Sequence, residues 1–280
     1  MTEAALAVTG ATGRVGGRVA RALSGAGLAQ RLVVRDPSRA PVLDGAQVVR
    51  ASYADPAAAR AALDGIEVVF MVSGSEEVDR VAKHREFVDA AVAAGVRQLV
   101  YLSFYGAASD ATFTLARDHF ATEQHIRGSG LRWTFVRDNL YLDFFPYMVG
   151  EDDAIRGPAG DGRVAAVAID DIGDAVAAIL RGPDAHIDQT YSLTGPQAMT
   201  LDEVAARLAA ATNRPITFQH ETIDEAHASR AHYGAPDWQV EAWVSTYTAI
   251  ANGELAGVTD DVLRLTCHAP RSLEDTIGQV

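Results

Sequence analysis

Hydrophobic positions in the first half of the chain alternate between short runs and helical stripes. Leu6-Ala7-Val8, Leu32-Val33-Val34, Gln47-Val48-Val49 and residues 68–72, 98–102 and 133–136 read as six short strands. The fourth is apolar throughout, as a parallel strand buried on both faces should be. Residues 13–23, 56–63, 76–94 and 114–127 read as helices between them. In the first, Val15, Val19, Ala20 and Leu23 share one face. In the third, Val78, Val81, Val88 and Val92 mark the expected buried side, and Gly95 is placed to end it. His84, between Lys83 and Arg85, falls by this reading on the solvated face. The β-α-β-α order predicts an α/β fold: a doubly wound parallel sheet of the Rossmann kind with right-handed crossovers.

After Val136 the rhythm changes. Residues 139–162 are aromatic-rich and then glycine-rich. Residues 164–169 read as a strand, with Asp170 or Asp171 capping a helix that runs to Leu180. Residues 190–193 read as a further strand. Thr200-Leu201-Asp202-Glu203 has the spacing of a capping box and opens a helix through Ala210. Residues 235–253 read as the last long helix. The expected organisation is a nucleotide-binding domain over 1–138, to which 164–185 return. A small α/β C-terminal substrate lobe is expected from 139–163 and 186–280.

Composition narrows the class. The chain has 280 residues and a formal net charge of −13. No basic cluster marks a nucleic-acid face, so a nucleic-acid partner is not expected. No apolar run approaches a membrane span. Strand-like sequence begins almost at once, which leaves no room for a signal peptide. Cys267 is the single cysteine; it makes neither an intrachain disulfide nor a zinc cluster, and no metal site is expected. A cytoplasmic protein is the simplest expectation. A homo-oligomer is compatible with the sequence.

The candidate chemistry begins at the first strand–helix turn, Thr9-Gly10-Ala11-Thr12-Gly13-Arg14-Val15-Gly16. Glycine supplies a tight turn and a close backbone approach, and the next helix aims its unpaired N–H groups at a pyrophosphate. The context, following the first strand of an alternating α/β chain, supports a dinucleotide site. Gly10, Thr12, Gly13, Arg14 and Val15 are its expected coenzyme contacts. Past the second strand the chain reads Arg35-Asp36-Pro37-Ser38-Arg39. Arg35, Arg39 and Arg14 suit the 2′-phosphate of NADP(H) through paired, charge-assisted bonds. The opposing reading makes these arginines solvated and Asp36 the ribose ligand of NAD. By the switch-point rule, Val72, Ser73, Ser103 and Phe104, at the ends of strands four and five, border the coenzyme.

These segments resemble the NmrA-like group of atypical short-chain dehydrogenases/reductases. So do Leu102-Ser103, Ser129-Gly130-Leu131-Arg132-Trp133-Thr134, the run from Gly157-Pro158 to Gly162-Arg163, Thr194-Gly195-Pro196 and Ala251-Asn252-Gly253-Glu254-Leu255. The resemblance spans nearly the whole chain and lies nearest the quinone-oxidoreductase type 2 branch. It implies NADPH on the Rossmann domain and substrate under a small C-terminal lobe. Some members reduce quinones or related carbonyls; others sense the coenzyme with little or no catalysis. Two departures from the wider family matter. His119 stands at the position of the usual lysine, as in the quinone-reductase branch, and Leu115 at that of the tyrosine. Ser52 replaces an aspartate near the adenine.

The expected function is an NADPH-dependent reductase that passes hydride to a quinone or related conjugated carbonyl without a Tyr-Lys pair. The competing reading is a non-catalytic NADP(H)-sensing regulator that binds a protein partner. His119 is either an orienting or proton-relay group or a helix histidine that bonds the ribose or lies half-exposed. Tyr105, just past the fifth strand, either bonds the acceptor or packs. Asn139, Tyr141 and Phe144 either line an aromatic acceptor pocket or form lobe core.

Overall fold

The computed structural model describes residues 5–277. Seven strands form one sheet: β1 (Leu6–Thr9), β2 (Gln30–Val34), β3 (Ala46–Arg50), β4 (Val68–Met71), β5 (Gln98–Phe104), β6 (Arg132–Asp138) and β7 (Gln189–Leu193). Their order is β3-β2-β1-β4-β5-β6-β7. β1 pairs in parallel with β2 (Leu6 opposite Gln30) and with β4 (Leu6 opposite Val68). The chain therefore reverses its direction of winding between β1 and β4, where a doubly wound sheet opens a crevice at the strand ends. β4 and β5 are buried at every position. Alternation splits their side chains between the two faces: Ala7, Val33, Val69, Met71, Leu99, Tyr101 and Phe135 join one core cluster.

Helices α1 (Arg14–Gly25), α2 (Pro56–Ala62), α3 (Arg80–Ala93), α4 (Thr114–Gly128) and α5 (Ile169–Arg181) connect these strands. α1 buries Val15, Val19, Ala20 and Leu23. α3 begins four residues later than the periodicity implies. Residues 76–79 are not helical, and Val78 is 83% exposed. The buried face of α3 carries Arg80, His84, Phe87, Val88 and Ala91, while Val92 is exposed. His84 is thus wholly buried, not solvated.

The chain divides into two compact units. One comprises residues up to Phe104, Asp118–Arg137 and Asp170–Tyr191; the other comprises Tyr105–Arg117, Asp138–Ile169 and Ser192 onward. The second holds α6 (Leu201–Thr212), α7 (Ile223–Arg230) and α8 (Asp237–Ala251). The box at Thr200 and Glu203 forms, with each side chain on the other's backbone N–H. A second box at Thr222 and Glu225 opens α7. Residues 164–169 do not form the expected strand; Arg163–Val164 is a two-residue strand paired with Met199–Thr200, and Val167 makes a single parallel bridge to Tyr141. Loop partners take the backbone instead: the Ala165 N–H donates to Leu255 O at 2.9 Å and that of Val167 to Leu140 O at 2.8 Å. Asp170 and Asp171 sit inside the first turn of α5, and the Ile169 N–H is satisfied by Asp143 at 2.8 Å. Thr217–His220 pairs in parallel with Ala154–Gly157. Among the described residues no helix is long and apolar enough to cross a membrane.

Candidate functional site

The site is built where β1 hands over to α1. Gly10 turns the chain with φ +64°, and a Cβ there would lie 3.0 Å from that of Val72. The Gly13 N–H closes the turn on Gly10 O at 2.9 Å. A Cβ on Gly16 would fall 2.6 Å from Gly10 C and 2.7 Å from Thr9 O, so only glycine lets α1 seat directly on the strand end. Gly13 caps α1 without a side-chain bond, and the first turn holds no acidic residue. The positive dipole end of α1 therefore meets neither a side-chain cap nor a carboxylate of its own first turn, which suits an anion.

Beside this turn lies a cavity of about 270 Å³. Its walls come from the ends of four adjacent strands: Thr9, Gly10, Thr12 and Gly13; Val33, Val34 and Arg35; Ala51, Ser52 and Tyr53; Val72, Ser73, Gly74 and Ser75. Tyr53, which the sequence did not single out, closes a ring of hydrogen bonds there. The Val72 N–H donates to Thr9 Oγ1 (2.9 Å), the Tyr53 hydroxyl donates to Val72 O (2.6 Å), and Thr9 Oγ1 meets the Tyr53 hydroxyl at 2.6 Å. Val72 O leaves Tyr53 no second proton to give, so Thr9 is the donor in the last bond. Burial holds the phenol above its ordinary range. The ring ties β1 to β4 at the switch point.

The two residues after β2 part company. Arg35 is exposed and lines the cavity. Asp36 is used locally: it accepts from the Ser38 N–H at 3.0 Å and the Ser38 hydroxyl at 2.7 Å, capping the turn Pro37–Arg39. Those bonds, with help from Arg39 and Arg50, hold its carboxyl below the usual range.

Farther along the wall stand Glu77, Arg80, Lys83 and His84. Lys83 pairs with Asp79 at 2.8 Å and with Glu77, and both bonds raise its ammonium pKa. It is the single lysine of the chain, and Asp79 stands four residues before it. The sequence therefore contains no Tyr-x-x-x-Lys spacing. His84 and His119 are fixed in one tautomer each. Arg80 has no acceptor to offer, so His119 Nε2, 2.9 Å from its Nη2, carries the lone pair. Nδ1–H then donates to the Tyr101 oxygen at 3.0 Å. His84 Nε2 accepts from the Gly74 N–H at 2.8 Å, and its Nδ1 lies 3.0 Å from Thr122 Oγ1. Thr122 gives its own proton to Asp118 O, so it accepts from His84. Burial, reinforced by Arg80, pushes His84 down to about 3 and His119 well below its ordinary value. Both rings are neutral, and the half-exposed placement of His119 is replaced by a buried one at 6% exposure.

Of the expected coenzyme contacts, Gly10, Thr12, Gly13, Arg35, Ser52, Val72 and Ser73 come together around the cavity. Arg14, Val15, Arg39, Ser103, Phe104 and His119 lie outside its lining. Arg14 opens α1, exposed, and Val15 is buried in that helix. Arg39 is exposed in the capped turn. Ser103 is fully buried and donates to Glu123 at 2.6 Å, a carboxylate also gripped by Arg137 at 2.7 and 2.8 Å. Phe104 packs 6.0 Å from the His119 ring. The remaining residues belong to the second unit. Asn139 braces it from within, donating to Leu255 O at 3.0 Å and accepting from the Leu140 N–H at 2.8 Å. Tyr105 packs its hydroxyl against Gly257. Tyr141 bonds Asp138 at 2.7 Å and lies 5.9 Å from Phe144, which is 52% exposed.

Comparison with known proteins agrees with this architecture. The NmrA-like family matches residues 2–233. The chain is 31% identical to an NAD(P)H azoreductase of Xenophilus azovorans, over 96% of this chain and 95% of that one. It is 30% identical to quinone oxidoreductase 2 of Escherichia coli, over 98% of each. The crystal structure of an NADPH-dependent quinone oxidoreductase from Escherichia coli, complexed with NADPH, superposes with a TM-score of 0.91 at 29% identity, over 98% of this chain and 99% of that one. With its parallel sheet, glycine turn and switch-point cavity, the chain belongs to the NmrA-like family and is closely related there to the bacterial NAD(P)H quinone oxidoreductases of type 2.

Proposed function

We propose that this NAD(P)H-dependent oxidoreductase uses NADPH to reduce a quinone or a related conjugated carbonyl. The observation that carries the coenzyme assignment is the split after β2: Arg35 faces the cavity while Asp36 is tied into its own turn. A guanidinium there suits a 2′-phosphate, and a carboxylate already bonded to Ser38 is a poor ribose ligand. The glycine turn fits the rest of the coenzyme: Gly10 and Gly13 line the cavity and bare its backbone to a pyrophosphate, while Gly16 lets α1 seat close behind. Gly10, Thr12, Gly13 and the α1 terminus hold the pyrophosphate; Arg35, with Arg39 four residues on and Arg14 at the start of α1, holds the 2′-phosphate; Ser52, Val72 and Ser73 border the remainder.

Bound NADPH supplies two electrons and a proton as hydride. The chain's own groups position, exclude water and donate few protons. His119 has both ring nitrogens engaged, and the Tyr53 hydroxyl is committed to Val72. Such a site suits an acceptor whose reduced form is a phenolate-like weak base, which takes its second proton from water. A simple ketone, whose alkoxide needs a strong proton donor, is served poorly. His119 acts in this reading as an orienting group for Arg80. Tyr105, Tyr141 and Phe144 are the candidates for acceptor contacts; the Asn139 side chain is spent on Leu255 and Leu140. Catalysed oxidation of NADPH by quinones, with weaker use of NADH, is the expected result. Tight NADPH binding without turnover on quinones or aldehydes would replace this reading with that of a coenzyme sensor.

A further inference from the structure

Gly74 lies in the cavity wall, yet both of its backbone polar groups are taken by side chains. Its N–H donates to His84 Nε2 at 2.8 Å, and its C=O accepts from Arg80 Nε at 3.0 Å. Arg80 and His84 are four residues apart and share one face of α3. Each is held from behind by α4. Arg80 meets His119 Nε2 at 2.9 Å and Asp118 at 3.5 Å; His84 meets Thr122 at 3.0 Å. We propose that His84 and Arg80 are positioning residues for the coenzyme, acting through the Gly74 peptide that they clamp. This rests on the coenzyme reading above.

The argument is one of direction. Arg80 is 5% exposed and His84 is wholly buried. Burying such groups is costly, and apolar side chains would join α3 to α4 without that cost. What polar groups add is orientation. The neutral His84 lone pair matches only a donor, and Arg80 only an acceptor. A flipped Gly74 peptide would set its carbonyl against the lone pair and its N–H against the guanidinium. One orientation alone satisfies the clamp, so the wall from Val72 to Ser75 is set before any ligand arrives. Such preorganisation strengthens binding by removing an ordering cost. A Cβ at Gly74 would sit 3.2 Å from His84 Nε2 and push the ring back by a few tenths of an ångström, lengthening that bond.

The test measures NADPH dissociation constants, with thermal midpoints, for the full chain and for His84→Phe, His84→Gln and Gly74→Ala. Phe removes the acceptor; Gln restores one. Losing one orienting hydrogen bond should weaken NADPH binding by about fivefold or more in His84→Phe and Gly74→Ala. The Gln variant should fall nearer wild type than the Phe variant. Nitrogen-15 spectra of the coenzyme-free protein should show His84 as the neutral Nδ1–H tautomer. A change under fivefold in a folded Phe or Ala variant, a Gln variant as weak as Phe, or an Nε2–H tautomer would overturn the clamp. If His84→Phe does not fold, Gly74→Ala and the tautomer decide. A wild-type chain that fails to bind NADPH overturns the coenzyme reading, and the clamp with it; loss confined to variants leaves that reading standing.

Discussion

Replacing Gly16 with alanine puts a methyl group where the backbone of Thr9 and Gly10 already lies. The new carbon would be 2.6 Å from Gly10 C and 2.7 Å from Thr9 O, nearly an ångström inside ordinary contact at 3.4–4 Å. Main chain on both sides leaves no flexible side chain to give way. The N-terminus of α1 must therefore back off from β1, loosening the seats of Val15, Val19 and Leu23, each no more than 7% exposed. Overpacking of this kind costs about 2–3 kcal/mol. For a chain of this size that lowers the thermal midpoint by roughly 3–5 °C. Gly13→Ala is the control. Its Cβ would sit 3.3 Å from Gly10 O, and its backbone is extended (φ −95°, ψ 178°), open to any residue. Gly13 lines the cavity, so Gly13→Ala should keep its midpoint within about 2 °C yet weaken NADPH binding about tenfold. Circular dichroism melts without coenzyme and fluorescence titration with NADPH measure both. A Gly16→Ala chain that melts like wild type would refute the close seating of α1. A Gly13→Ala chain with unchanged NADPH affinity would remove the turn from the coenzyme.

Three other outcomes follow from the same physics. Arg35→Ala should weaken NADPH binding about tenfold to a hundredfold and leave NADH binding within about twofold, because only the former has the phosphate; equal losses in titrations of the two coenzymes would contradict the assignment. Acid should destabilise the fold through His84 and His119, whose folded values lie below the ordinary 6.5. Below pH 6.5 the unfolded chain takes up protons that the native rings refuse, so stability falls by up to roughly 1.4 kcal/mol per pH unit for each ring, down to about pH 3 for His84. Urea midpoints that stay flat from pH 7 to 5 would argue against neutral buried histidines. Glu123→Ala strands the Arg137 guanidinium and the Ser103 hydroxyl and should cost about 3–5 kcal/mol in urea unfolding; a loss under about 1 kcal/mol would show the cluster to be dispensable.

The sheet was legible because β1, β4 and β5 announce themselves as apolar runs, and the first of them runs straight into the glycine turn. The coenzyme turn was legible for the same reason. Register and interior chemistry were not. The periodicity of α3 pointed to Val78 and Val92 as buried, but a hydrophobic stripe is blind to a polar residue that earns its burial through bonds. Arg80 and His84 occupy that face because Gly74, Asp118, His119 and Thr122 satisfy them. Tyr53 escaped notice since its partners Thr9 and Val72 lie 44 and 19 residues away. The missing Tyr-x-x-x-Lys spacing, by contrast, was readable from the lone lysine. The Thr222–Glu225 box of α7 repeats the pattern at Thr200–Glu203 and went unread. Thr217–His220 has one buried residue in four and pairs with a strand some sixty positions back, so no local pattern marks it.

The reductase reading is tested most directly by the loss of NADPH absorbance when a panel of quinones is added to the purified chain. The account predicts acceptor-dependent oxidation, faster with NADPH than with NADH and slower with simple ketones than with quinones. Tight NADPH binding with no acceptor-dependent rate anywhere in the panel would contradict it.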